Sequence, residues 1–480
     1  MIGTSFPEYV FIRLAILSLR SIAPLSFLYL GASAYYRKPA WSNAFGWALG
    51  AYACVEAGFY LFVFLPRKRL VQKAAAHPPL PLREEREALF ERCFASMRNA
   101  EVTAGWFPQG TLDTLKRDNL IEWLLWAFFG APQIGMQDEW EEEIDGYVQK
   151  LEDKFGFKLE HGWNEKAKCL KLTLDPVDAI HRPLLWYLII GLVDNYTGAV
   201  LTFSGLRHYN PRKWTTYFPL RSFTLFSKRS AHPDMVYWYR PHRSATKDPI
   251  LFIHGIGIGL WPYIPFLRDL LASDPDVGII AIETLAISSR ISPPPLTHTE
   301  VLSAIRSVLD AHDFKRVVVA GHSYGTVIAA WMLRDPMISP RVSAWLLADP
   351  IPFLLHCPAI AYNFVYRQPR RANEWLLWYF SSRDLDIARA LARHFFWAEN
   401  VLWKEELEGR RVAVSLSGRD QIVDAPEVWQ YLTGELEGPS ELRWKDKDLE
   451  VLYFDGLDHA EVFDTKRDRR IVLGVLTDFL

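Results

Sequence analysis

The sequence predicts an α/β protein: a mostly parallel central sheet with a helical cap, preceded by an N-terminal transmembrane or helical region. Three observations predict it. From Pro249 onward, short apolar runs of strand type alternate with helix-length segments, the pattern of a parallel sheet covered on both faces. One of these runs, Arg316–Ala320 (RVVVA), leads directly into Gly321-His322-Ser323-Tyr324-Gly325 and then into an apolar helix pattern, Thr326–Leu333. Before all of this, two long apolar stretches occupy the N-terminal region.

At 480 residues, half of them hydrophobic, the chain can build a large core and carry additions to one catalytic domain. Acids and bases nearly balance, with a formal net charge of -2, so no global field points to nucleic acid. The many aromatic residues suit lipid interfaces or an apolar pocket. Cys54, Cys93, Cys169 and Cys357 are scattered. None forms a CxxC pair, so neither a zinc site nor a disulfide framework is indicated, which fits a reducing compartment.

The first region, residues 1–73, reads as a membrane anchor of one or two helices. Trp41–Leu65 carries Glu56 as its only formal charge and ends at Pro66-Arg67-Lys68-Arg69. Its length suits a spanning helix, and the basic cluster favours the cytoplasmic side. A buried helix of a soluble domain is the alternative. The earlier run, Tyr9–Tyr36, carries Arg13, Arg20 and Pro24. A central arginine costs roughly 2.5–3.5 kcal/mol on insertion scales. This segment either spans with Arg20 turned toward the second helix, near Glu56, or lies in the interface. A signal peptide is disfavoured, because no basic region precedes the apolar run. Arg37 and Lys38 in the short loop weaken the orientation signal, and the sequon Asn195-Tyr196-Thr197 decides little.

Residues 74–215 read as a mostly helical extension. Ala74–Leu82 is a linker rich in alanine, proline and leucine. Helices are expected over Arg83–Arg98, Leu112–Phe129 and Gln137–Phe155. Leu184–Val193 (LLWYLIIGLV) is too short to span comfortably and is expected to be a buried helix; the alternative is a surface dipping into the membrane. The aromatic and basic stretch Arg207–Arg243 is expected to hold the first strands, for example Met235–Arg240.

Residues 216–480 read as the catalytic domain. Strands are expected at Ile250–Ile253, Val277–Ile282, Arg316–Ala320, Ala344–Leu347, Val412–Leu416 and Val451–Phe454. Helices are expected at Leu260–Leu271, Thr299–His312 and Thr326–Leu333. Gly321–Gly325 fits the G-x-S-x-G turn. Its chain must bend sharply from strand to helix while holding Ser323 in a strained conformation, and glycines two residues to either side let strand and helix approach. The following helix N-terminus then points at developing negative charge. The bland alternative is a tight turn with an idle serine.

From about Tyr237 to the C-terminus the sequence resembles the α/β-hydrolase superfamily, of the serine esterase and lipase kind. Four ordered landmarks carry the resemblance: His254-Gly255 after a strand, the turn Gly321–Gly325, Leu416-Ser417-Gly418-Arg419-Asp420 after a strand, and Gly456-Leu457-Asp458-His459 after another. The order Ser, Asp, His is the one this fold uses. The resemblance implies an α/β-hydrolase fold with Ser323 as nucleophile, His459 as base and Asp420 as the acid that orients it. It implies backbone N–H groups of Ile256 and Tyr324 as the oxyanion hole, with His254, Gly255, Gly321 and Gly325 supporting the motifs. Asp349 (Ala348-Asp349-Pro350), Asp424 and Asp458 are rivals to Asp420. His254 reads as a structural loop residue, and His322 as one that helps shape the pocket. Gly255–Gly259 lacks dinucleotide-loop spacing, so no nucleotide, other cofactor or metal is expected.

The long insertion between about residues 350 and 409 falls where this superfamily places its cap. Phe353-Leu354-Leu355, Trp375–Phe380 and Phe395-Phe396-Trp397 either line an acyl-chain pocket, meet the bilayer or simply pack the cap. A serine nucleophile favours esters, thioesters or amides. With a membrane anchor, the expected activity is hydrolysis of an apolar ester, such as a lipid, through an acyl-enzyme. The expected partners are the bilayer and an apolar acyl substrate, not nucleic acid. An acyltransferase on the same residues, hinted at by His459-x4-Asp464, and a non-catalytic membrane scaffold are the alternatives.

Overall fold

The computed structural model describes residues 2–38, 43–98, 100–110, 112–132, 137–211 and 216–480. The first two residues of the predicted span, Trp41 and Ser42, and residues 212–215 of the aromatic and basic stretch lie outside the described residues.

Ten strands form one sheet: β1 (Arg207–Asn210), β2 (Lys228–Arg229), β3 (Val236–Arg240), β4 (Ile250–Ile253), β5 (Ile279–Glu283), β6 (Val317–His322), β7 (Val342–Ala348), β8 (Val412–Ser417), β9 (Arg443–Asp446) and β10 (Leu449–Phe454). Their spatial order is β2-β1-β3-β5-β4-β6-β7-β8-β10-β9. The six central strands, β5 to β10 in that order, are parallel. β3 runs antiparallel to β5, and β9 antiparallel to β10. β1 and β2 fall within the stretch Arg207–Arg243 expected to hold the first strands, although their bounds are not legible in residue order, and the exposed edge strand β9 is not among the expected strands.

Side-chain alternation divides the core into two layers. Val317 and Val319 of β6, Leu251 and Ile253 of β4, and Trp345 and Leu347 of β7 face one cluster. Val318 and Ala320, Ile250 and Phe252, and Leu346 face the other. The first layer is closed by helices His298–Ala311 and Tyr324–Arg334 and, unusually, by the N-terminal extension: Phe90, Trp126 and Ile144 belong to the same cluster. Those residues sit on helices Arg83–Ser96, Arg117–Phe129 and Asp138–Phe155. The second predicted helix thus starts at Arg117; Leu112–Thr114 is only a 3-10 turn. The second layer is closed by helices Ile264–Ser273 and Lys466–Phe479.

At the N-terminus, Phe6–Tyr35 is one 30-residue helix and Ala44–Leu70 a continuous helical run with a π turn at Tyr60–Phe64. Both are long and apolar enough to cross a membrane. Arg20 does not meet Glu56. Its side chain is exposed, and the buried Glu56 instead accepts hydrogen bonds from Tyr52 Oη (3.1 Å) and the Leu184 N–H (2.9 Å). Arg13 lies over the Trp375 ring of the cap, 4.0 Å from its centroid. The helix begun at Leu184 does not stop at Val193 but continues to Phe203, because Asp194 and Asn195 are satisfied within the protein.

Candidate active site

All four sequence landmarks end at the same edge of the sheet. His254-Gly255 follows β4, Ser323 follows β6, Asp420 follows β8 and His459 follows β10, with the rival Asp349 after β7, so the C-terminal ends of neighbouring parallel strands deliver them together. Ser323 has φ 51° and ψ -120°, a strained conformation for a residue with a side chain. Two close approaches hold it there. A Cβ on Gly325 would lie 2.2 Å from the Ile253 carbonyl oxygen, and one on Gly255 would lie 2.7 Å from the Ser323 Cβ. The Ser323 N–H donates to Ala348 O at 2.9 Å, tying the bend to β7.

Ser323 Oγ lies 2.9 Å from His459 Nε2, and His459 Nδ1 lies 2.7 Å from Asp420 Oδ2. In the neutral imidazole, Nδ1–H donates to Asp420 and Nε2 accepts from the serine hydroxyl. Asp420 is itself fixed, its Oδ1 accepting the N–H groups of Ile422 (2.7 Å) and Val423 (3.0 Å). Burial pulls the His459 pKa down, but the Asp420 carboxylate, with Asp349 and Asp458 behind it, outweighs burial and raises it to about 9. This set can take a proton from Ser323 as Oγ attacks a carbonyl carbon and return it to a leaving group.

The rivals have other partners. Asp349, fully buried, accepts N–H groups from Ser417 (3.1 Å) and Ala460 (2.8 Å), and so joins the loop carrying Asp420 to the loop carrying His459. Burial opposes its ionisation, yet the neighbouring His322 and His459 hold its carboxyl below the usual range. Asp424 caps helix Ala425–Thr433 by accepting the Glu427 N–H. Asp458 accepts from the Gln421 and His459 N–H groups and from Asn373. Asp349, Asp420 and His459 place atoms that could ligate a metal within 4.8 Å of one another, but each is already engaged by protein groups, and the set works as a hydrogen-bonded network.

His322 does not shape the pocket. It turns beneath the serine, where its Nδ1 receives the Tyr263 hydroxyl (2.7 Å) and its Nε2 lies 3.5 Å from Asp349. Burial lowers its pKa to about 4 and keeps it neutral. Tyr263 Oη in turn accepts the Gly255 N–H at 3.0 Å, and His254 ties the same loop to Thr284, accepting its N–H at 3.0 Å. The loop after β4 is therefore rigid. Among the described residues the backbone N–H groups of Ile256 and Tyr324 have no acceptor. Ile256 lines the same cavity as Ser323, and Tyr324 opens helix Tyr324–Arg334, whose dipole favours negative charge there.

Ser323 lies on the wall of a cavity of about 230 Å³ that is overwhelmingly apolar. Leu355, Phe395 and Trp397 of the cap, Ile256, and Trp126 and Phe129 of the N-terminal extension line it, and the strand of chain His77–Pro81 closes one side. Sequence reading placed His77–Pro81 in a linker and gave the extension no part in the site, and nothing in the spacing of those residues could have revealed it. The aromatic clusters of the cap divide their labour: Phe395–Trp397 line the cavity, whereas Trp375–Phe380 pack against helix Phe6–Tyr35. Asp464 lies on a separate surface depression with Arg268 and Arg469.

A model of the alpha/beta hydrolase family matches residues 250–470. With the sheet order and the strand-to-helix bend described above, this segment belongs to the α/β-hydrolase superfamily, and its membership supports a hydrolase. Among solved structures the chain is similar to a membrane phospholipase A described as a bacterial virulence factor (15% identity, 62% of this chain and 94% of that one, TM-score 0.40). It is also similar to a carboxylesterase of the thaumarchaeon Nitrososphaera gargenis (17%, 52% and 97%, TM-score 0.36). A third is the proline iminopeptidase of Mycobacterium smegmatis (13%, 51% and 96%, TM-score 0.34). No curated protein sequence matches the chain.

Proposed function

We propose that the chain is a membrane-anchored serine hydrolase that cleaves carboxylic esters of lipids through an acyl-enzyme. The observation that carries the reading is the Ser323–His459–Asp420 chain of contacts, at 2.9 and 2.7 Å, opening onto an apolar cavity. In this reading His459 Nε2 takes the Ser323 proton as Oγ bonds to the acyl carbon. The carbonyl oxygen becomes an oxyanion between the N–H groups of Ile256 and Tyr324, where each donor contributes about 2.7–4 kcal/mol. His459 then gives the proton to the departing alkoxide, and water repeats the sequence to free the acid. Asp420 keeps the imidazole in the productive tautomer. The cavity holds the acyl chain, whose methylenes contribute about 0.8 kcal/mol each on burial.

The anchor is formed by helices Phe6–Tyr35 and Ala44–Leu70. The basic group Arg67-Lys68-Arg69 at the end of the second supports a cytoplasmic-facing catalytic domain in this reading. The test is labelling of membranes with a fluorophosphonate probe. Wild type is labelled and Ser323→Ala is not, and a panel of lipid esters identifies the substrate. Equal labelling of both proteins overturns the reading. Release of free acid rather than a transferred acyl group, in the presence of an alcohol acceptor, separates hydrolysis from acyl transfer; Asp464 stands outside the cavity and lends the transferase no support.

A further inference from the structure

Helix Leu184–Phe203 is 20 residues long and apolar enough to span a membrane on its own. Its inner face forbids that. Asp194, buried at mid-helix, pairs with Arg290 and lies 3.4 Å from Arg221, both from loops of the catalytic domain. Trp186, Tyr187, Ile190, Thr197 and Leu201 are buried on the same side. The helix is pinned along its length to the domain and has only its other side free.

That other side is a stripe. Leu188 is 60%, Leu192 64% and Tyr196 57% exposed, and Phe203 is 91% exposed. The spacing of four, four and seven residues is that of one helix face. The stripe widens into the adjoining turn Ser222–Phe226, where Leu225 is 70% and Phe226 91% exposed. The two elements touch closely: a Cβ on Gly198 would lie 2.8 Å from the Phe223 ring. Exposed Lys228 and Arg229 follow the turn directly.

The start of this helix is joined to the two N-terminal helices. The first N–H of helix Leu184–Phe203 donates to Glu56, halfway along Ala44–Leu70. Phe59 of that run meets Tyr187 and Phe218, at 5.6 and 6.2 Å between ring centroids, and Leu19 of the first helix joins the same cluster. A helix held against the second apolar run, apolar along its free face and with a basic pair directly after the adjoining turn, has the composition of an interfacial element.

We infer that helix Leu184–Phe203, with the turn Ser222–Phe226, is a third membrane contact that lies in the bilayer interface without crossing it, seating the catalytic domain in the lipid through its own surface. The occupant of the stripe is lipid acyl chains, with anionic headgroups at Lys228 and Arg229. This rests on the reading of the two N-terminal helices as spans.

The test uses the full chain in vesicles of phosphatidylcholine and phosphatidylserine, with and without lipids carrying a nitroxide on the acyl chain. An environment-sensitive fluorophore is attached in turn to Leu28→Cys, Leu192→Cys, Leu225→Cys and Leu436→Cys, in a Cys54→Ser, Cys357→Ala background. Cys93 and Cys169 are buried. Leu28 reports the first span. Leu436 is exposed beside β9, at the far edge of the sheet from β1. The nitroxide is expected to remove fluorescence at Leu28, Leu192 and Leu225 and leave it at Leu436. Full fluorescence at Leu28 overturns the spanning reading and this inference with it. Loss at Leu28 with full fluorescence at Leu192 and Leu225 overturns this inference alone.

Discussion

Three carboxylates crowd one imidazole. Asp420 touches His459, while Asp349 and Asp458 stand close enough to add to its charge. Because the base works only when neutral, a pKa of about 9 means that activity should rise with pH and level off above that value. Asp420→Asn should lower kcat roughly 10³- to 10⁴-fold by releasing the tautomer, and should carry the pH midpoint of the residual rate downward. Asp349→Asn should also move the midpoint down but lose less rate, since the contact to His459 Nδ1 survives. Rate profiles of the three proteins check this, and equal midpoints would refute it. The same shift bears on stability. The imidazolium–carboxylate pair contributes fully below the unfolded histidine value of about 6.5, and its contribution is lost as pH rises through about 9. Melting temperature should therefore decline across that window in wild type and less so in Asp420→Asn.

Between residue and fold, the bend at Ser323 is the element whose geometry the amino acids announce most openly. Gly321 and Gly325 are required because backbone from β4 and the following helix occupies the space of their side chains. Gly325→Ala, with a Cβ 2.2 Å from Ile253 O, should destabilise the protein by about 3 kcal/mol or more, visible as a fall in the thermal midpoint. A flanking motif of this kind can be read from residue types because the constraint is local. The cavity is the opposite case. Its walls come from stretches separated by some three hundred residues, His77–Pro81, Trp126 and Phe395–Trp397. Only tertiary packing brings them to one place, so composition suggested a pocket without saying which aromatics make it. The choice of acid was likewise open in the sequence, since Asp349 and Asp420 both follow strands; the 2.7 Å contact of Asp420 with His459 Nδ1 favours Asp420. Filling the cavity with Phe395→Trp should shift preference toward short acyl chains, measurable as the ratio of kcat/KM for short and long aryl esters.

At the scale of the whole molecule, the N-terminal helices, the insertion after β7 and the sheet are interlocked. Ile12 and Ile16 of the first helix pack on Ala372 and Tyr379 of the cap, and Phe64 and Val71 pack on Val177 and Ala388. These contacts are apolar and shielded from ions. If the two helices span as proposed, the protein should stay with membranes through both high salt and alkaline carbonate, and leave only with detergent; release by either wash would show that the helices do not span. The two long apolar helices were legible from residue order alone, because length and hydropathy suffice. Their docking on the cap was not, because a lipid-facing and a protein-facing leucine are the same letter.

The stretch His77–Pro81 has a double duty. It belongs to the chain that follows helical run Ala44–Leu70, and it is also a wall of the cavity beside Ser323. Under the proposed membrane reading, a protease that cut here would separate the hydrolase segment from the N-terminal helices and open the cavity in the same cut. If the proposed function holds, cleavage there would remove attachment and one cavity wall together, and a shed form would be expected to lose selectivity for long acyl chains along with its attachment.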